Sequence, residues 1–479
     1  PFDVAAFACE ARRILDEVDA EIGWMYETTH TDGVTKGRIN YTVWSDVYSC
    51  PNCGGEIIFT DEAMESDTKK VLNEFSCHHC KSLLSKRILE RLYVVETDEI
   101  ALVNTKTPKR IPVLINYTAN NIVAEKRPTN ADLDVLLKIK QMPIPRNIPN
   151  RLIPFMHMTH ERAKLSNAGV THVHHFFMPR QAHGISNLWA AAMSIETPET
   201  RRMMTWFVEQ AIWGMSVMNR FGPTHYSQVN KALNGIYYIP SMITDVSPWY
   251  NLEGRLQRLV KLAFKTPYQY PSQSIISTAD CANIQISDNV VDYIFTDPPF
   301  GENIYYSDLN FLVESWHGAV TNAIPETIVD KSKSKNIHRY QDLARACFAN
   351  FFRVLKPGRW MSVVFSNSSN AVWRAIQEAI GSAGFVIADV RSLDKQQGSY
   401  RQVTSTAVKE DLVITAYKPT ISLEGAFELE SPGASSAWAF VEEHLRSVPV
   451  FVGRRGGVHR PLRDRRGGRA GRTHRGALV

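Results

Sequence analysis

The sequence predicts an α/β fold, an open parallel sheet with helices on both faces, interrupted by a cysteine-bearing insertion and a helical region. Three observations lead there. Strand-like and helix-like segments alternate through the last third of the chain. Four of the seven cysteines form two C-x-x-C pairs between residues 50 and 80. Helical apolar spacing runs from Asn187 to Phe221 and from Leu252 to Phe264. The 479 residues, 44% hydrophobic and 22% charged, have a globular composition that excludes collagen, a coiled-coil rod and a wholly disordered chain. No run of 18 apolar residues is present, so no membrane-spanning helix is expected.

Along the chain, Val4, Phe7, Ala11, Ile14, Leu15, Val18 and Ile22 recur at helical spacing and predict an amphipathic helix over 3–26. The cysteine pairs follow, Cys50-Pro51-Asn52-Cys53 and Cys77-His78-His79-Cys80, separated by 23 residues. A C-x-x-C turn aims two thiolates at one point, and two such turns complete a closed tetrahedral Zn(II) site. Segments 56–60 and 71–75 are expected as strands of a zinc ribbon, with Cys50, Cys53, Cys77 and Cys80 as ligands. His78 and His79 compete for the same role, and a redox pair or chance pairing is the alternative. Cys9, Cys281 and Cys347 are isolated and expected in the core.

A strand is predicted over 112–117, then loops over 140–185, where five prolines fall between Pro143 and Pro179. Trp206 and Trp213 sit in a helical pattern and are expected in the core. His172, His174, His175 and His183 suggest a second metal site or a polar, base-contacting segment, with no carboxylate or cysteine at suitable spacing. The last third predicts strands at 274–277, 290–296 (buried), 359–365, 385–390 and 411–417. Helices are predicted at 307–319, capped by Ser307 or Asp308, and at 340–355 and 370–383. Lys331, Lys333 and Lys335 form a loop that either contacts phosphates or is solvated.

The net charge of +5 divides unevenly. Residues 452–479 hold nine arginines and one aspartate, a local +8, which leaves residues 1–451 at −3. Such a Gly/Arg-rich tail is expected to be disordered. It reads as an arginine-rich arm on nucleic acid, as a solvated tail, or as an out-of-frame stretch beginning near Val452, the explanation preferred here.

One motif lies where ligands of such sheets bind, beyond the carboxyl end of a strand: Thr296-Asp297-Pro298-Pro299-Phe300-Gly301. It suits methylation of an exocyclic amine on a planar heterocycle. That nitrogen is a weak nucleophile because its lone pair is delocalised into the ring. Asp297 can accept one N–H and the Pro298 carbonyl the other, while Pro298 and Pro299 fix φ and Phe300 offers an aromatic face. The base must leave its stack to be reached. The competing reading is a turn that merely ends a strand.

On these residues the chain resembles amino-group-specific, S-adenosylmethionine-dependent DNA methyltransferases, whose motif is D/N/S-P-P-Y/F. It is most similar to large zinc-ribbon-containing adenine-specific DNA methylases, some of them in phage-defence gene clusters. Residues 37–46, 113–117 and 171–177 share the likeness, which covers about 1–450. The resemblance implies a Rossmann-like methyltransferase sheet with an inserted zinc ribbon, DNA as partner, and a cytoplasmic, prokaryotic setting with other proteins of a defence or restriction-modification system. It implies adenine N6 as target, with cytosine N4 left open. It also implies Asp297, Pro298, Pro299 and Phe300 as catalytic, and Asp280 and Asp297 beside the S-adenosylmethionine.

The expected organisation is an N-terminal core helix (1–44), the zinc ribbon (45–90), a partly helical insertion and candidate target-recognition region (91–270), the catalytic core (271–420), an extension (421–451) and the tail (452–479). Ser399, Tyr400, Arg401 and Gln402 are expected to face the base or DNA.

The chain departs from the family in having no F-x-G-x-G loop after a strand, and no acidic residue assignable to the ribose. Pro1 is therefore expected to lie just downstream of two central strands, leaving the strand before Asp297 with an unpaired side. Two function classes follow: an adenine-N6 DNA methyltransferase, or a non-catalytic zinc-containing nucleic-acid-binding fragment. RNA or protein amide methylation is a third. The fragment expectation predicts weak or no S-adenosylmethionine binding by this chain; micromolar affinity in calorimetric titration would sink it.

Overall fold

Asp3 starts the first helix because its carboxylate accepts the Ala6 N–H at 2.9 Å, satisfying an end group the helix leaves open. Helix α1 (Val4–Ile22) buries Phe7, Ala11, Ile14, Leu15, Val18 and Ile22 along one stripe. Arg13 pairs with Glu10 and Glu17 outside that stripe. A 3₁₀ turn, Gly23–Tyr26, completes the segment predicted as helix. The computed structural model describes residues 3–65, 68, 70–225, 227–265, 274–393 and 411–420. They divide into two units. One comprises the chain to Ser277 with Ile304–Glu326 and Asp330–Lys335; the other comprises Thr278–Asn303, Thr327–Val329 and the described residues from Asn336.

The first unit continues with β1 (Glu27–Thr29) and β2 (Lys36–Ser49), then β3 (Glu56–Ile58), α2 (Phe59–Ala63), β4 (Glu74–Ser76), β5 (Leu83–Ser85) and β6 (Glu90–Arg91). The hairpin β7 (Tyr93–Asp98) and β8 (Val103–Pro108) leads into β9 (Arg110–Ala119) and β10 (Ile122–Lys126). Next come α3 (Asn130–Lys140), α4 (Pro179–Met193), α5 (Pro198–Glu209), β11 (Met242–Val246), α6 (Pro248–Lys265) and α7 (Tyr306–His317). Long and mostly buried, β2 pairs antiparallel with β1, β3, β6, β9 and β11. The β2–β9 register shifts between Val43 and Trp44, where Trp44 faces Pro112. Proline has no N–H to donate there, so the ladder breaks locally.

Several sequence expectations change here. The helical pattern over 187–221 is two helices, each opened by a proline at its first turn, Pro179 and Pro198, where the missing N–H costs nothing. Trp206 is 47% exposed because α5 turns Met204, Phe207 and Val208 inward instead. Trp213 is half-buried beside Tyr237. Of the two segments expected as strands in the cysteine module, Glu56–Ile58, Glu74 and Phe75 are strand, whereas Thr60 lies in α2 and Val71 makes an isolated bridge to Met64. Neither Ser307 nor Asp308 caps α7, since both lie inside it with their side chains bound elsewhere in the unit.

The second unit holds β12 (Val291–Thr296), α8 (Ile337–Val354), β13 (Leu355–Phe365), α9 (Asn370–Ser382), β14 (Val386–Leu393) and β15 (Asp411–Tyr417). Its strands lie in the order β12-β13-β15-β14. β12 and β13 are parallel, whereas β15 runs antiparallel to both its neighbours. The sheet is therefore mixed rather than parallel throughout. Met361, Val363, Phe365, Ile376, Ile380, Ile414 and Phe348 form its core. Gly384, at φ +98°, turns the chain from α9 to β14 against the Phe352 ring.

Among the described residues β12 pairs only with β13, and Tyr293 (54%) and Phe295 (65%) are exposed, so this strand is not buried as predicted. Residues 274–277 form no strand, and Ile275 and Ile276 are almost fully exposed. Cys9 and Cys281 are exposed and Cys347 is half-buried, so the isolated cysteines are not a core set. Ser399–Gln402, the extension over 421–451 and the Arg-rich tail fall outside the described residues.

An ion pair that periodicity does not reveal ties α4 to the first unit's sheet. Arg180 Nε and Nη2 donate to Asp245 Oδ2 at 2.8 and 2.6 Å, and Nη2 also donates to Thr42 Oγ1 at 2.7 Å. Burial pushes the Asp245 carboxyl up, and the guanidinium opposes that shift. Replacing one partner strands a buried charge, whereas replacing both removes it. Arg180→Met should therefore cost about 3–5 kcal/mol in chemical denaturation, and Arg180→Met with Asp245→Leu should recover most of the loss.

Candidate functional site

In the second unit the loop after β12 is anchored through its backbone. Tyr340 Oη donates to the Pro299 carbonyl at 3.0 Å, Asn367 Nδ2 to the Phe300 carbonyl at 2.7 Å, and Val329 N–H to the Gly301 carbonyl at 3.2 Å. Asn367 is itself held, its Oδ1 accepting the Ser369 N–H at 2.6 Å and its carbonyl the Trp373 indole N–H at 3.0 Å. Gly301 has φ +67°, a conformation that only glycine adopts readily, and a side chain there would also press on Val372. Phe300 packs edge-to-face on Phe365 at 5.2 Å. Burial raises the Tyr340 phenol well above its usual range, so it stays a donor.

The consequence lies in what remains. Three consecutive carbonyls, of Pro299, Phe300 and Gly301, are occupied, while that of Pro298 accepts no hydrogen bond among the described residues. Beside it the Asp297 side chain is exposed. An exposed carboxylate and an adjacent open carbonyl on a stiff loop form a pair of acceptors suited to an NH₂ group. Asp280 precedes the 3₁₀ turn Cys281–Asn283 and caps it, its Oδ1 accepting the Ala282 N–H at 2.9 Å. Sequence reasoning singled out the loop itself but not Tyr340, Asn367 or Val329, which approach from distant segments.

The cysteine module of the first unit brings its four predicted ligands together. All four sulfurs lie within 4.8 Å of one another, with Cys50–Cys80 and Cys53–Cys77 at 3.8 Å. A tetrahedron with Zn–S bonds of about 2.3 Å has S···S edges of about 3.8 Å, whereas a disulfide needs about 2.05 Å. The donor set thus fits zinc and not a redox pair. The two turns are built alike. Gly54 N–H donates to the Cys50 carbonyl and Cys50 N–H to Gly55; Lys81 N–H donates to Cys77 and Cys77 N–H to Ser82. Gly54 and Lys81, at φ +71° and +63°, occupy the equivalent left-handed position. Hydrogen bonds from Ser82 lower the Cys80 thiol to about 6. His78 is engaged with Glu62 at 2.5 Å, and His79 packs over Gly55, so neither histidine competes as a ligand.

The remaining candidates separate. Lys333 Nζ bridges Asp308 at 2.5 Å and Asp330 at 2.8 Å, and Lys335 Nζ donates to the Ala323 and Glu326 carbonyls. Both are internal ties, so this loop is neither a solvated lysine run nor a phosphate clamp at those positions. His174 and His175 converge on Asp98, a carboxylate from the far end of β7 that sequence spacing did not connect to them. His183 stands outside the group of ligand atoms that converge there. Burial depresses both rings, His175 to about 4, so they are neutral at neutral pH. Burial favours a raised Asp98 carboxyl, but hydrogen bonds from His175, the Ala101 N–H, His174 and the Ile100 N–H outweigh it and hold the group ionised.

No family model and no curated protein matches the chain. Among solved structures it is similar to a protein assigned as a DNA modification methylase from Thermus thermophilus, at 13% identity and TM-score 0.18, over 32% of this chain and 51% of that one. The S-adenosyl-L-methionine complex of that protein gives 14% identity and TM-score 0.18, over 29% and 54%. A SAM-dependent methyltransferase from Methanosarcina mazei gives 13% and 0.19, over 35% and 79%. The chain thus spans about half the length of the Thermus protein. Likeness at this level assigns no family.

A structural metal makes the order of the cysteine module depend on its ligands. Chelation or Cys53→Ser should open the amides of residues 50–85 to hydrogen exchange while β9 stays protected; unchanged protection of Cys77–Ser85 would exclude a structural role.

Proposed function

We propose that this chain acts as an S-adenosylmethionine-dependent DNA methyltransferase on an exocyclic amine, adenine N6 in preference to cytosine N4. The observation that carries the reading is the acceptor pair: an exposed Asp297 next to the open Pro298 carbonyl, on a loop whose next three carbonyls are tied down. The position of Asp297 at the end of β12 accords with one of the two acidic groups that the family resemblance sets beside the cofactor; Asp280, which the resemblance also sets there, precedes a 3₁₀ turn.

When bound, S-adenosylmethionine supplies an electrophilic methyl group on a sulfonium. The chain's part is to orient and activate the amine. Asp297 accepts one N–H and the Pro298 carbonyl the other, which draws lone-pair density away from the ring and onto nitrogen. Pro298 and Pro299 hold φ, and Tyr340 and Asn367 hold the carbonyls beyond, so the acceptors are set before the base arrives. As the nitrogen accepts a methyl group, Asp297 would take up the proton that it gives up, along the same hydrogen bond. No covalent enzyme intermediate is needed. Extrusion of the base from its stack is the step that makes an amine in duplex DNA reachable. The zinc module serves this reading as scaffold or DNA contact.

The test is transfer of labelled methyl groups to unmodified DNA by protein expressed from the complete gene. Asp297→Ala should lower the rate by at least about 100-fold, the scale of losing one oriented polar contact in a transition state, with unchanged thermal unfolding. Equal rates would refute the assignment, and product analysis distinguishes N6-methyladenine from N4-methylcytosine.

A further inference from the structure

We propose that Asp98, His172 and His175 form a second metal site in the first unit, separate from the four cysteines, for a divalent first-row transition ion such as Zn(II). One ligand atom from each of the three lies within 4.8 Å of the other two. Two imidazoles and one carboxylate are a donor set that such ions favour, and one too soft for Mg(II) or Ca(II).

The carboxylate is pre-aimed. Asp98 ends β7, and in the turn that follows the N–H groups of Ile100 and Ala101 donate to Oδ1 at 2.9 and 3.1 Å. That fixes the plane of the group and turns Oδ2 toward the histidines. His174 Nε2 and His175 Nε2 reach Oδ2 at 2.8 and 2.6 Å. The Asp98 side chain is only 4% exposed, and these partners include no cationic side chain. A buried carboxylate among imidazoles and amides carries an uncompensated charge, which a divalent ion would neutralise.

The rings are oriented as ligands need. Thr171 Oγ1 lies 3.0 Å from His172 Nδ1 and 3.3 Å from His175 Nδ1. The hydroxyl oxygen can accept the His172 Nδ1 proton, which leaves a lone pair on His172 Nε2 for a metal. Outer hydrogen bonds of this kind are how metal-binding histidines are held in the required tautomer. In the absence of metal, the His175 proton sits on Nε2, facing Asp98, and its Nδ1 accepts the N–H groups of Thr171 and His172 at 3.2 and 3.3 Å. For His175 to become a ligand through Nε2, its proton must move to Nδ1 and the Thr171 and His172 N–H groups must turn to other acceptors, a local change of this turn. His174 completes the cluster as a further hydrogen-bond donor to Asp98. A purely structural His–Asp contact accounts for one ring; it gives no reason for two rings on one carboxylate oxygen with a third ring within 4.8 Å and a threonine shared between His172 and His175.

The experiment is metal counting on the full chain with Co(II) and Zn(II), by mass spectrometry after dialysis, with the cobalt spectrum recorded alongside. Two metals per chain are expected. His172→Gln and Asp98→Asn should each reduce this to one, while the thiolate-to-cobalt charge-transfer band of the four-cysteine site persists, which also shows that the variant is folded. Cys53→Ser should show the reverse, with the charge-transfer band lost and a cobalt signal of nitrogen and oxygen ligation kept. Thr171→Val should weaken the second site about 10–100-fold, the usual cost of losing an outer-shell partner, and Thr171→Ser should restore it. One metal per chain in wild type, or two in both His172→Gln and Asp98→Asn, would overturn the proposal.

Discussion

A buried strand must have both edges satisfied along its length, and in the first unit that demand falls on β2. Water cannot complete its peptide groups, so each must find a protein partner. β9 takes one edge, β1 and then β11 take the other, and β3 and β6 flank its last residues. Both clusters of metal-ligand side chains inherit their positions from this arrangement. Cys50 begins its turn one residue beyond the end of β2, and Asp98 ends the hairpin strand β7, whose partner β8 leads straight into β9. A slip in the register of β2 would turn its residues to the opposite faces and disperse both clusters.

The second unit is governed by the same accounting on a smaller scale. A loop that leaves a strand carries carbonyls with no ladder to join. Around Asp297 three successive ones are matched by Tyr340, Asn367 and Val329, contributed by α8, by the residues after β13, and by a short segment before α8. The loop is rigid because three separate segments hold it. The Pro298 carbonyl stands out only against that background: in a loosely held turn an open carbonyl would mean little, whereas here it is the exception next to an exposed carboxylate.

Much of this was legible because it is local. The apolar stripe of α1, the two cysteine turns and the strand before Asp297 all follow from residues within a few positions of one another. Expectations failed where partners come from far along the chain. Asp98 is 76 residues from His174, so no spacing rule connects them. Lys333 and Lys335 read as a charged loop because Asp308 and the carbonyls they bind lie elsewhere in the sequence. Trp206 and the isolated cysteines were assigned to a core by residue type alone, which says nothing about which face of an element turns inward. The mixed sheet has the same cause, since the direction of β15 depends on which strands it joins.

By itself, then, the sequence determined the chemistry that residue type and short spacing can encode: four thiols in two matching turns, and an acidic, proline-stiffened loop at the end of an apolar strand. The tertiary structure decided which oxygen and nitrogen atoms meet. It closed the thiols to 3.8 Å, left one carbonyl open beside Asp297, and brought two histidine rings onto a buried carboxylate. The physical reason is range. Turn conformation and side-chain spacing are set within a few bonds, whereas convergence of distant groups depends on the pairing of whole strands and on the burial that makes every polar atom find a partner.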